Sequence, residues 1–112
     1  MTSPKKTVQT VTKLIYHIAT QEEWDRAQEV GEYRGDTLDG EGFIHCSTAD
    51  QLDEVGEYLF KWVDDLVLLG IDEELVVNEI KYEDAGNGET YPHIYGPLNI
   101  DAILSVKDYF VE

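Results

Sequence analysis

The hexapeptide LVLLGI, from Leu66 to Ile71, offers no polar side chain to either face. A run of this length, apolar at odd and even positions alike, reads as a strand covered on both sides. The rest of the chain is expected to supply its neighbours and its cover. Leu14 to Ala19 and Gly42 to Cys46 read as further strands, and Leu75 to Glu83 alternates about Ile80 and Tyr82. YPHIYG (91–96) is a short strand, and Ile100 to Val111 is a long closing one. Thr20, with Glu23 three residues on, makes a capping box for a helix that turns Trp24, Ala27 and Val30 inward. Ser47 or Thr48 caps a second helix, in which Leu52, Val55, Leu59, Phe60 and Val63 follow helical spacing. Residues 31–42, GEYRGDTLDGEG, read as an irregular loop, and Gly86-Asn87-Gly88 as a turn. Helices come early and strands late. That order predicts an α+β fold with a mixed, largely antiparallel sheet and two main helices packed on it. Residues 1–13 read as a flexible polar tail and 14–112 as a single domain.

Charge narrows the partners. Eight basic side chains face twenty-four acidic ones, a formal net charge of −16. A field of that sign repels nucleic acid and anionic membrane, so neither is an expected partner. The excess reads as solubility or adaptation to a salty interior, with attraction of a cationic partner as the sharper alternative. Cys46 is the only cysteine, so no internal disulfide is possible, and a thiol in an apolar strand points to packing in a reducing compartment. The opening residues MTSPKKTVQTVTK hold no apolar core of a signal peptide or membrane span, and a cytoplasmic location is the expectation.

All three histidines sit in strand-like apolar runs: His17 in IYHIA, His45 in GFIHCS and His93 in PHIYG. In a strand, alternate side chains share a face. His17 then sides with Ile15 and Ala19, His45 with Phe43 and Ser47, and His93 with Tyr91 and Tyr95. If their strands are neighbours, the three imidazoles converge on one pocket with aromatic walls, the make-up of a small-molecule site. The competing reading treats each as a core residue whose ring nitrogens find backbone partners. Ser47 and Thr48 open a helix whose free N–H groups suit a phosphate or carboxylate, although plain capping needs the same residues. Three histidines also match zinc with an open fourth position, but no His-x-His or His-x-x-x-His pair is present. Cys46, one residue from His45, should face the other way, which removes it as a nucleophile. Tyr95 is a stacking wall ahead of the Gly96-Pro97 turn, and Arg34 is a loop cation in reach of an anion. Glu83 alternates with Glu79 and Lys81 on a face that reads as solvated.

Taken together, LIYHIAT, TLDGEGFIHCS, LVLLGID and YPHIYGPLNIDAIL resemble the small bacterial and fungal proteins grouped as domain of unknown function 952, from about Leu14 to Leu104. The resemblance implies an ADP-ribosyltransferase-like fold, shared with NAD-dependent transferases and RNA 2'-phosphotransferases. On that pattern, His17 matches the first-strand residue that holds a ribose of NAD, and His45 with Ser47 falls on the second strand. His93 and Tyr95 stand on the late strand where a catalytic glutamate is expected, a departure from classical ADP-ribosyl transfer. Strand faces and resemblance together make His45, His93 and His17 the candidate catalytic residues, and Ser47, Thr48, Tyr95, Tyr91, Phe43 and Arg34 the candidate ligand contacts. The ligand that the resemblance implies is NAD or a related nucleotide or phosphoryl compound, either transformed or held by a non-catalytic binding module.

Overall fold

A computed structural model describes residues 13–111, so nearly all of the expected N-terminal tail lies outside the described residues. Fourteen short elements follow Lys13. β1 (Leu14–Thr20), β4 (Leu66–Asp72) and β8 (Ile103–Tyr109) form one sheet in the order β1-β4-β8. β4 lies in the middle, as its unbroken apolar run requires, and Leu69 and Ile71 are fully buried. β1 pairs with it from Leu14↔Asp72 to Thr20↔Leu66, and β8 from Leu66↔Tyr109, with a register shift after Gly70. A Cβ on Gly70 would run into the Ser105 hydroxyl, so glycine leaves room for that side chain between β4 and β8.

A second three-stranded sheet has the order β3-β6-β5, from Ile44–His45, Thr90–Ile94 and Ile80–Asp84. Its buried face contributes Ile44 and Ile94, which are directly paired. β2 (Glu32–Tyr33) and β7 (Leu98–Asn99) pair separately and bury Tyr33 and Leu98 completely. Every strand pair among the described residues is antiparallel. The fold is therefore α+β with antiparallel sheets, more broken than the expected single sheet. One bridge joins the two larger sheets. Tyr16 and Ser47 exchange both backbone hydrogen bonds, at 2.8 and 2.7 Å.

α1 (Gln21–Val30) begins on the expected capping box: the Thr20 N–H donates to Glu23 Oε1 and the Glu23 N–H to the Thr20 hydroxyl. Ala27 is buried and Trp24 packs on the core, but Val30 is half exposed because the helix ends there at Gly31. The segment read as loop contains β2 and a single helical turn, α2 (Leu38–Glu41). Its glycines close structure as well as interrupt it, since Gly31 and Gly42 both terminate helices at positive φ.

The second main helix, α3 (Leu52–Leu59), is shorter than its apolar spacing implied. It stops before Phe60, and Trp62 and Asp65 take left-handed backbone. Val63 therefore falls outside it, and Tyr58, Leu59 and Trp62 stay exposed. Gly56 is the one fully buried residue of α3, seated against Tyr109 of β8.

Candidate functional site

β1 carries His17, β3 carries His45 and β6 carries His93, and all three border one cleft of about 990 Å³. The cleft opens beside the Tyr16–Ser47 bridge, and both bridge residues line it. Val55, Tyr58 and Leu59 of α3 form its opposite wall. The outward stripe of α3, which looked like core in the sequence, faces this hollow.

Hydrogen bonds dictate what each imidazole can do. His17 Nδ1 lies 2.5 Å from the carbonyl oxygen of His45. A carbonyl only accepts, so Nδ1 carries the proton and donates. Nε2 lies 2.7 Å from the Tyr33 hydroxyl, which donates to it while the ring is neutral. Loss of hydration lowers the His17 pKa and keeps the ring in that form. Tyr33 is also 3.5 Å from Glu23 Oε1, and burial pushes the phenol pKa up. Both nitrogens of His17 are thus committed within the protein. The ribose contact expected of it has no free nitrogen to use. Its geometry instead ties β1 to the backbone of β3.

His45 and His93 are direct cross-strand partners. Their ring centroids are 5.1 Å apart, edge to face, and Phe43 stacks on His93 at 4.2 Å. His45 is open to solvent and its Nε2 lies 2.9 Å from Glu41 Oε1. His93 is 8% exposed, and its Nδ1 lies 2.8 Å from Glu83 Oε1. The same carboxylate oxygen accepts from the Tyr95 hydroxyl at 2.5 Å. Chiefly the Tyr95 bond, then the His93 bond, hold the Glu83 carboxyl below its ordinary range. Lys81 sits over the Tyr95 ring at 4.7 Å.

Glu79, Lys81 and Glu83 do alternate onto one face, but that face is not simply solvated. Register places Lys81 opposite His93 and Glu83 opposite Tyr91, on the side that carries the aromatic and imidazole rings. Cross-strand pairing was the missing signal, because a carboxylate beside a histidine on the next strand is invisible to single-strand periodicity.

Other expected contacts separate into two groups. Ser47 and Tyr91 line the cleft, and Tyr91 accepts a hydrogen bond from the Asn87 amide. Phe43 and Tyr95 stand behind the cleft lining, against His93 and Glu83. Thr48 does not face it. Its N–H donates to Gln51 and its hydroxyl to Asp50, ahead of a 3₁₀ turn at Ala49–Gln51. The expected anion seat at this helix start is therefore filled by the chain's own side chains, one of them a carboxylate. Arg34 pairs with Asp39 at 2.6 Å and Glu32 at 3.2 Å, away from the cleft.

Among the described residues that line the cleft, Glu23, Asp36, Glu41 and Glu54 bring carboxylates, and none is lysine or arginine. Cys46 is buried in the core and burial raises its thiol pKa, so it is a packing residue. Among the described residues, no three His, Cys, Asp or Glu side chains are grouped to hold a metal. The three-histidine zinc alternative lacks its donor set here, because His17 has no nitrogen free to ligate. No helix among the described residues is long and apolar enough to cross a membrane.

Comparison with known proteins places this architecture. The family model described as protein of unknown function (DUF952) matches residues 18–106. The chain belongs to the DUF952 family. A crystal structure of protein CC0527 from Caulobacter crescentus is similar at 33% sequence identity, covers 88% of both chains and superposes with a TM-score of 0.81. A solution NMR structure of the same protein gives a TM-score of 0.75 over 88% of this chain and 86% of that one. No curated protein is significantly similar to the chain. DUF952 membership accounts for the shared fold and carries no activity with it.

Proposed function

We propose that the cleft binds a small molecule built on a hydroxylated ring, of the ribosyl type found in NAD, on an ADP-ribosyltransferase-like scaffold. One observation carries the reading: imidazoles from an early, a middle and a late strand border a single hollow large enough for a nucleotide. The chain order of the three histidines is compatible with the pattern that the resemblance implies: His17 lies on β1, His45 on β3 with Ser47 just after it, and His93 on the late β6. The lining supports a further choice of orientation. Four carboxylates, with no cation among the described lining residues, favour the cationic nicotinamide riboside end of NAD inside the cleft, and leave its phosphates toward solvent. His17 orders the floor, while His45 and His93 offer the nitrogens for hydrogen bonding and acid–base work.

The test is a thermal-shift titration with NAD and with ADP-ribose, which lacks the cationic ring. NAD is expected to raise Tm more than ADP-ribose, and His45→Ala to reduce both shifts. Equal shifts by both, or none by either, overturn the reading. Loss of NAD over time in the wild type, absent in His45→Ala, distinguishes a transferase or hydrolase from a binding module.

A further inference from the structure

His45 and His93 face each other in register, yet their carboxylate partners engage opposite nitrogens: Glu41 meets Nε2 of His45, and Glu83 meets Nδ1 of His93. An ionised carboxylate only accepts, so each contact demands a proton on the imidazole nitrogen it touches. In the neutral rings this leaves a bare lone pair on His45 Nδ1 and on His93 Nε2. Neither atom has a hydrogen-bond partner among the described residues. Both rings border the cleft. Glu83 is held in turn by the Tyr95 hydroxyl, and Phe43 stacks on the His93 ring and fixes its plane.

We propose that Glu41 and Glu83 set His45 and His93 in opposite tautomers, so that the pair presents two acceptor nitrogens to a hydrogen-bond donor. The ligand group this selects is an uncharged hydroxylated ring, such as a ribose diol, and not a phosphate. An anion would meet two lone pairs and the Glu41 carboxylate, with no cation among the described lining residues to offset them. The assignment deepens the ribosyl reading above and rests on it for the ligand's identity, though not for the tautomers. Glu83 is a positioning residue: it acts through His93, whose Nε2 it makes the accepting atom. Late-strand chemistry expected of a glutamate thus becomes a histidine backed by a glutamate from the adjacent strand.

Imidazole nitrogen NMR on the full chain reads the tautomers directly, with no ligand present. With the rings neutral, His93 is expected with Nδ1 protonated and Nε2 bare. His45 is expected with the reverse. Glu83→Leu should lose the His93 preference, whereas Tyr95→Phe should keep it, because the Glu83–His93 bond survives. Addition of ribose should then move the bare-nitrogen signals of both rings, and an equal concentration of inorganic phosphate should not. Nε2 protonation on His93 in the wild type, an unchanged tautomer in a folded Glu83→Leu protein, or a response to phosphate in place of ribose overturns the proposal. The tautomers are measured without NAD, so failure of NAD to bind sinks the nucleotide reading alone.

Discussion

Tyr33→Phe removes one oxygen from a fully buried side chain and leaves the ring in place. That oxygen is the partner of His17 Nε2 at 2.7 Å. His17 cannot adapt by exchanging tautomers, because its Nδ1 proton is committed to the His45 carbonyl. Nor can it take up a second proton cheaply, since loss of hydration already lowers its pKa. The variant therefore leaves a half-buried acceptor without its donor, which costs about 1 kcal/mol. In a domain of this size each kcal/mol corresponds to about 4–8 °C in Tm. A drop of at least about 4 °C is expected, with a lower urea midpoint and an unchanged m-value. In a His17→Leu background the same substitution should cost much less, because no acceptor remains to be stranded. A change below about 0.5 kcal/mol in the wild-type background, or full additivity with His17→Leu, refutes the assignment.

Other perturbations follow from the same contacts. Gly56→Ala places a methyl group against the Tyr109 hydroxyl and should destabilise the wild type by about 1 kcal/mol. Tyr109→Phe removes the hydroxyl contact but leaves ring carbons 3.1 and 3.3 Å from the new methyl, so the cost of Gly56→Ala should shrink in that background without vanishing in urea unfolding. His17 has a depressed folded pKa, so its neutral form supports folding above the ordinary value of 6.5, and that support is lost as pH falls below it. Between pH 7 and 5.5, roughly the window below an unperturbed imidazole, stability relative to a His17→Gln variant should decline in calorimetry. Glu83 is also depressed, below 4.5, so its contribution holds above that value and disappears as pH falls through the folded one. Glu83→Gln should flatten that acid limb. A net charge of −16 predicts that added sodium chloride raises Tm by screening self-repulsion, which a salt series checks.

Local signals in the chain were enough for the elements whose cause is local. LVLLGI announces a central strand, and Thr20 with Glu23 announces the start of α1. The capping box is visible because both halves lie within one turn. α3 was overextended because Leu59, Phe60 and Val63 keep apolar spacing past its last turn. What ends it is left-handed backbone at Trp62 and Asp65, which neither residue type advertises. At the site, strand alternation assigned each histidine to a face, and the faces do meet. The hydrogen bonds that assign their tasks run between elements far apart in sequence. Tyr33, sixteen residues from His17, occupies the nitrogen expected to reach a ligand, and Glu83, ten residues from His93, lies on the next strand. Neither pairing leaves a mark in the local pattern of either partner. Arg34 shows the reverse: a lone cation in an acidic chain looks available, but nearby carboxylates claim it first.

The most direct measurement is a histidine-selective NMR titration of the intact chain with NAD. The account predicts that the His45 and His93 ring signals move together along one saturable curve, while the His17 signals, locked between Tyr33 and a backbone carbonyl, stay in place. Saturable shifts confined to His17, or NAD binding that leaves both His45 and His93 untouched, would contradict it.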